Sequence, residues 1–468
     1  MPTPNVVRGS SSAAIAEEPA PAQPAAGYGL RQNALSPVEV FAQSVAAIAP
    51  STIPVFAVPM VAGLAGNGAW LVYIVAMAAM MLVGLCISVF ARDSSSPGSL
   101  YVYVRGNLPP AFAAVVAWGL LFAYISTASS IMGAIISSLV GWHVQVIPLL
   151  LPSLIVVIAF AIAYREVKVS AQIMLWVEAA SLSLILIVIM ITLWKRGFAI
   201  DPAQLHLRGV TFSSARLGVM LAIFGFVGFE SAAALGSKAK DPLRTIPQAI
   251  LGSALVAGVF FILCCYAETA GFHSAGRSLG EASAPLRFLA SEGGVPLFGV
   301  FIDVGVLVAL FSGVIACIIA SARVLLVMAH DGLLPVWLTK THARNETPVA
   351  AAMIAVLAMD APVTALTLRG VTGAEVYGLL GTVAVFGFLT AYGVVAAAMP
   401  FHLYQRGRLG AGRIALSLGA TLIIFLAVLL SIYPIPPAPY RYLPLIYVSY
   451  LIVGMSWYVV IRRKKAKS

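Results

Sequence analysis

Residues 223–232 read IFGFVGFESA, setting Gly225, Gly228 and Glu230 among three phenylalanines within a run otherwise apolar enough to cross a bilayer. An unbroken transmembrane helix satisfies every backbone N–H and C=O within itself, so breakers and a carboxylate at that depth need a reason. A second interrupted run, AAIAPSTIPVFAVP at residues 46–59, lies about 180 residues earlier. There Pro50, Ser51, Thr52 and Pro54 stop a helix near its middle. Breaks at matching places in two halves of a chain point to an inverted-repeat transporter, with spans one to five as one repeat and six to ten as the other.

A broken span frees peptide groups that hydrocarbon cannot solvate, so something polar must meet them. The amino end of one half-helix suits a carboxylate, and the bare carbonyls at the carboxyl end of the other suit an ammonium or a cation. A zwitterion fits both. Taken singly, the first break reads as a proline kink and the second as a close helix crossing over glycines; in register, they favour a binding site. Pro50, Ser51, Thr52 and Ile53 from the first break and Phe226 and Gly228 from the second are the expected lining, with Tyr124 at its flank.

Composition sets the setting. Hydrophobic residues make up 61% of the 468, charged residues 10%, and the mean hydropathy is +0.99, which a soluble surface would not tolerate. The chain reads as an all-α integral membrane protein. With ~20 apolar residues per crossing, about twelve spans begin near Ser36, Trp70, Ala111, Val146, Ser170, Ser214, Pro247, Val295, Pro348, Ala374, Ile414 and Tyr442. Residues 1–35, rich in Ala, Pro and Ser, read as a disordered tail with no signal-peptide pattern. The transmembrane region is expected at 36–461, with repeats at 36–195 and 212–400, added helices eleven and twelve at 412–461, and a basic tail at 462–468.

The net charge is +11, but the placement of the cations tells more. With the amino terminus inside, 20 of the 28 Lys and Arg residues fall on the cytoplasmic side. Four of the others, Lys195, Arg196, Arg208 and Arg216, crowd one outer connection. Both termini are therefore expected in the cytoplasm of a cell whose cytoplasmic membrane holds the protein. The basic tail reads as a stop signal, with contact to anionic lipid as a second reading.

Cys86, Cys264, Cys265 and Cys317 all lie in apolar runs and have neither disulfide nor metal spacing. The six histidines fall in or beside loops. Neither a metal cluster, a nucleophile triad nor a phosphate loop emerges, so no metal, cofactor or nucleic-acid partner is expected, and an enzyme is disfavoured.

The residues carry a family resemblance. GFVGFESAAALGSKAKDPLRTIPQAI, residues 225–250, resembles the sixth helix and its exit in the amino acid-polyamine-organocation superfamily of permeases. SPGSLYVYV at 96–104 and MAHDGLLP at 328–335 are similar to that superfamily's loops after helices two and eight. The likeness covers about residues 36–460. It implies a five-plus-five inverted-repeat (LeuT-like) fold with discontinuous helices one and six, and alternating-access transport of an amino acid or amine. By position it makes Phe224 an aromatic gate over the substrate and places the substrate amino group at the carbonyls near Phe224 and Val227. Phe56 and Pro59 match the helix-one pattern. Thr52, Ile53 and Pro54 depart from it, standing where relatives have small residues whose amides cradle a carboxylate; Pro54 has no N–H to offer. Amine substrates thus stay open.

Many relatives place a lysine midway along helix five, and Ser181 takes that place here. Glu178 lies one turn earlier, about ten residues or ~15 Å from the cytoplasmic end. A charge at that depth costs roughly 2.5–3.5 kcal/mol, which makes Glu178 a candidate proton carrier or, equally, a neutral acid bonded to a neighbouring helix. Glu230, two residues past Gly228, reads first as a cap on freed amides and second as a titrating or substrate-pairing group. Glu268, Asp303, Asp360 and Glu375 are expected near span ends, facing water. In DPLRTIPQAI, Thr245 is expected to cap helix seven with Pro247 in its first turn.

No Lys or Arg is expected deep in the first ten helices, which disfavours acidic substrates. The expectation is a secondary transporter of a neutral amino acid, with a cationic amino acid, an amine or a polyamine second and a non-transporting sensor as the rival class. Expected partners are the small solute, a coupling proton or sodium ion, and the lipid bilayer.

Overall fold

The computed structural model describes residues 36–93, 99–145, 147–164, 169–235, 239–340 and 348–465. The expected tail at 1–35, the last residues 466–468, and the loop cations Arg165, Lys168, Lys238 and Arg344 lie outside the described residues. Among the described residues every regular element is helical. In chain order these are α1 (Pro37–Ile48), α2 (Thr52–Ala65), α3 (Ala69–Ala91), α4 (Ser99–Arg105), α5 (Pro110–Gly141), α6 (Leu150–Tyr164), α7 (Val169–Lys195) and α8 (Pro202–Leu205). There follow α9 (Phe212–Phe224), α10 (Pro242–Ser274), α11 (Pro285–Gly293), α12 (Pro296–His330), α13 (Val349–Leu368), α14 (Gly373–Gln405), α15 (Ala411–Ile432) and α16 (Leu443–Lys465).

Ten stretches of described helix are long and apolar enough to cross a membrane. The first joins α2 to α3 as Thr52–Ala91, and α1 and α6 are apolar but shorter. These two mark the difference from twelve expected spans. The first expected span is divided between α1 and α2, and α6 has 15 residues, which rise only about 22 Å.

Local chemistry sets several boundaries. Ser36 accepts from the Glu39 N–H at 3.3 Å while Glu39 accepts from the Ser36 N–H at 2.7 Å, and Pro37 fills the first helical position of α1. Thr372 and Glu375 repeat this reciprocal cap on α14. Helix α10 departs from expectation. It starts at Pro242, not near Pro247; the Thr245 hydroxyl donates to the Lys240 carbonyl at 2.9 Å instead of capping, and Pro247 lies inside the helix. Pro242 takes the first-turn place that needs no N–H.

Helix α14 is the most enclosed span, with 67% of its apolar window inside the protein against 22% for α15 and α16. It lies directly on α5, where a Cβ on Gly373 would stand 2.6 Å from the Gly133 carbonyl oxygen, so only glycine permits the approach. Leu422, Phe425, Ile452 and Val453 on the outer helices are exposed, as a lipid-facing surface requires.

Polar contacts gather at the helix ends. Asp93, just past α3, bonds His402 at 3.0 Å and Arg408 at 2.8 Å, and Asp331, just past α12, pairs with Arg105 at 2.8 Å and accepts from Tyr101. Burial pushes the Asp93 carboxyl up, but bonds from His402 and Arg408 outweigh it and hold the group below its ordinary value. Beyond α7, Asp201 bonds Gln204 at 3.0 Å and His273 at 2.6 Å, and these bonds likewise outweigh burial and lower it. Arg216, expected in a loop, is instead buried in α9, where it donates to the carbonyls of Leu430 and Pro434 at the end of α15. Leu430, in the last turn of α15, has a carbonyl without a partner in its own helix, and Pro434 lies just past that end; together they draw the guanidinium inward.

Candidate functional site

Helix α1 stops because Ala49 takes a left-handed conformation (φ 50°) and Pro50 follows without an N–H. Helix α2 restarts at Thr52, whose N–H and hydroxyl both reach the Ala49 carbonyl, at 3.0 and 2.8 Å. Helix α9 stops at Phe224, residues 225–228 form tight turns, and a 3-10 helix runs Phe229–Leu235. Both spans are therefore interrupted where the breakers stand.

The two interruptions touch. Gly228 has φ 104°, and a Cβ there would lie 2.4 Å from the Ala47 carbonyl oxygen. The Ser44 hydroxyl donates to the Phe229 carbonyl at 3.2 Å, and the Ile53 side chain borders Gly225. Pro50, Ser51, Thr52 and Ile53 are buried, as are Phe224 and Phe226, while Val227 and Gly228 are partly buried.

Both candidate carboxylates belong to this junction. Glu178, from α7, accepts from the Ser51 N–H at 2.9 Å and the Ser51 hydroxyl at 2.8 Å. It thereby seats a carboxyl group at the amino end of α2, the place where a helix dipole favours negative charge. Glu230 accepts from the Tyr392 hydroxyl at 2.9 Å and the Gly228 N–H at 3.2 Å, so it does meet an amide freed by the break. Ser181, one turn further along α7, bonds back to the Val177 carbonyl at 2.9 Å.

The backbone donors from Ser51 to Ile53 and from Gly225 to Phe229 are all engaged. Besides Ser51, the Thr52 N–H meets the Ala49 carbonyl and the Ile53 N–H meets the Pro50 carbonyl at 3.3 Å. Across the second break, the N–H groups of Gly225, Phe226, Val227 and Phe229 bond to the carbonyls of Ala222, Ile223, Phe224 and Phe226. What the junction offers besides these is carbonyl oxygen, carboxylate, aromatic surface and the Tyr377 hydroxyl, which is buried with no hydrogen-bond partner among the described residues.

The aromatic surface centres on a residue the sequence reading missed. Tyr377 of α14 lies between Phe224 and Phe56, with ring centroids 5.7 and 5.5 Å away. Phe226 packs instead on Phe261 of α10 at 5.2 Å, and Tyr124 on Phe388 at 5.5 Å. Tyr377 and Tyr392 had one available signal, because a hydroxyl inside an apolar span needs a polar partner or a cavity.

Glu268 corrects an expectation. Placed near water by the sequence reading, it is fully buried in α10, and neither of its oxygens has a hydrogen-bond partner among the described residues. Asp303 bonds Arg287 at 2.7 Å, Asp360 accepts from Ser153 at 3.1 Å, and Glu375 serves the cap of α14.

Comparison with known proteins places these features in company. A family model described as amino acid permease matches residues 39–468. The chain is 27% identical over 326 residues to an uncharacterized transporter of Mycobacterium tuberculosis, covering 68% of this chain and 70% of that one. It is 23% identical over 308 residues to the branched-chain amino acid permease BcaP of Bacillus subtilis, covering 61% and 65% of the two chains. It is 25% identical over 310 residues to cationic amino acid transporter 4 of Homo sapiens, covering 61% and 48%.

Proposed function

We propose a function from one premise: this chain belongs to the amino acid permease family. On that premise it is a secondary active transporter that carries an amino acid across the cytoplasmic membrane by alternating access, with both termini in the cytoplasm. The observation that carries this reading is the contact between two interrupted spans at Gly228 and Ala47, with Glu178 and Glu230 on the freed peptide groups. Paired breaks of this kind are how transporters present polar backbone to a solute at mid-membrane depth.

In this reading α1 to α7 and α9 to α14 hold the two five-span repeats, and α15 and α16 are additions. Pro50, Ser51, Thr52, Ile53, Phe226, Val227 and Gly228 surround the solute, and Phe224, edge to face with Tyr377, closes over it as the gate. A neutral amino acid fits the aromatic and aliphatic surface of Ile53, Phe224 and Tyr377, and the branched-chain permease among the relatives supports that class. Glu178 and Glu230 are the proton-coupling candidates.

Uptake into proteoliposomes tests the reading, using radiolabelled amino acids and amines under an imposed pH or sodium gradient. Accumulation of a neutral amino acid above its external concentration supports it. Binding without flux makes the protein a sensor, and uptake confined to lysine, arginine or amines moves the substrate to the cationic class. Phe224→Ala is expected to weaken binding or uncouple the gate, and unchanged kinetics remove that assignment.

A further inference from the structure

The amides at the head of α2 would suit a substrate carboxylate, yet the chain supplies one of its own. Of the first donors there, Thr52 and Ile53 are bonded to backbone carbonyls, Pro54 has no N–H, and Ser51 gives both its N–H and its hydroxyl to Glu178. The second break has no spare amide from Gly225 to Phe229. A solute carboxylate can therefore gain a donor at the head of α2 by displacing Glu178.

We propose that Glu178 is an internal stand-in for the substrate carboxylate, and that the two exchange places on Ser51 as the transport cycle turns. This rests on the transporter reading above and names how that site couples to protons. An ionised Glu178 driven off Ser51 would be left bare in a desolvated interior, and two carboxylates cannot both be ionised on one small donor set. Displacement thus goes with protonation. The Glu178 carboxylate takes one proton as it leaves, the substrate carboxylate accepts the two Ser51 bonds, and the seat holds one negative charge throughout. Return of Glu178 to Ser51 releases its proton and expels the substrate.

The surroundings leave Glu178 free for this exchange. Of the helices packed on α7, α1 carries Glu39, which is engaged with Ser36; α11 carries Arg287, bonded to Asp303 of α12. Cys317 of α12 and Cys264, Cys265 and Glu268 of α10 are buried, and among the described residues only Ser51 bonds to the Glu178 carboxylate.

The test measures binding to purified protein of its best-bound α-amino acid, chosen from a leucine-to-lysine panel, and of the corresponding decarboxylated amine, across pH. Wild-type affinity for the amino acid should rise on acidification by up to about tenfold per pH unit, the limit for one linked proton. The amine should lack that slope, and Glu178→Gln should flatten it for the amino acid. A wild-type slope retained in Glu178→Gln, or shared by the amine, overturns the proposal. Binding of no amino acid at all counts instead against the transporter reading. A readout free of substrate stands beside this: acetate is expected to raise the melting temperature of Glu178→Ala by a few degrees, filling the emptied seat, and to leave wild type unmoved. No acetate effect on that variant also overturns it.

Discussion

Gly228 shows how one residue fixes the candidate site. Its φ of 104° is closed to ordinary side chains, and a Cβ would collide with the Ala47 backbone at 2.4 Å. Gly294 makes the comparison clean, because it is left-handed (φ 82°, ψ 15°) with nothing within 4 Å of the added atom. Gly294→Ala should therefore cost only the left-handed strain, about 1–2 kcal/mol. Gly228→Ala should cost more and separate the two breaks, lowering the melting temperature further and abolishing uptake; equal melting temperatures for the two variants would count against a tight junction. Glu268 teaches the opposite lesson. Glycine and proline announce their backbone consequences in the sequence, whereas the depth of a carboxylate depends on where its helix begins and ends. Starting helix seven near Pro247 put Glu268 at its far end, but α10 spans Pro242–Ser274 and encloses it. An unpartnered buried carboxyl contributes nothing to stability, so Glu268→Met should leave the melting temperature unchanged or raise it. A marked drop would reveal a partner for Glu268.

At the scale of elements, the residue that leads into α2 depends on α7, since Glu178 is the partner of both the Ser51 N–H and its hydroxyl. Ser51→Ala removes the hydroxyl bond to Glu178 and leaves one carboxylate oxygen short of a donor in a buried place, a loss of about 1–3 kcal/mol. Thermal unfolding in detergent should show that loss, and Ser51→Thr, which restores a hydroxyl, should recover most of it. If Ser51→Ala unfolds like wild type, the Ser51–Glu178 contact does not hold the start of α2. Tyr392→Phe probes the second break in the same way, since it strips one donor from Glu230 while keeping the ring on Phe229. The sequence sets how far along α7 Glu178 lies, because each helical residue adds a fixed rise. It could not supply Ser51 as the partner, nor Tyr377 as the ring beneath Phe224, because both depend on which helices lie side by side. Hydrophobic runs without a polar face carry little of that information: with apolar residues all round, nothing in the pattern marks the inward side.

At the scale of the molecule, the interrupted spans and the all-helical membrane architecture were legible because bilayer physics writes them as long apolar runs with breakers. The shortness of α6 was not, since it concerns where helical hydrogen bonding stops rather than how apolar the run is. The same limit hid the ionic ties between helix ends. Asp93 links the end of α3 to the end of α14 through His402 and to the following turn through Arg408. Its folded-state carboxyl titrates below the ordinary value of 3.8, so the stabilisation it provides is present above that value and lost as pH falls through the lower folded one. Melting temperature followed from neutral pH down to about pH 3 should decline in wild type partly for this reason. Asp93→Asn should start lower at neutral pH and decline less steeply, with the curves converging in acid, because the other carboxylates titrate in both proteins and cancel in the comparison. High salt should narrow the neutral-pH gap, since the Arg408 side chain is 48% exposed and open to screening. Parallel curves separated by a constant gap would mean that Asp93 acts through packing and not through its charge.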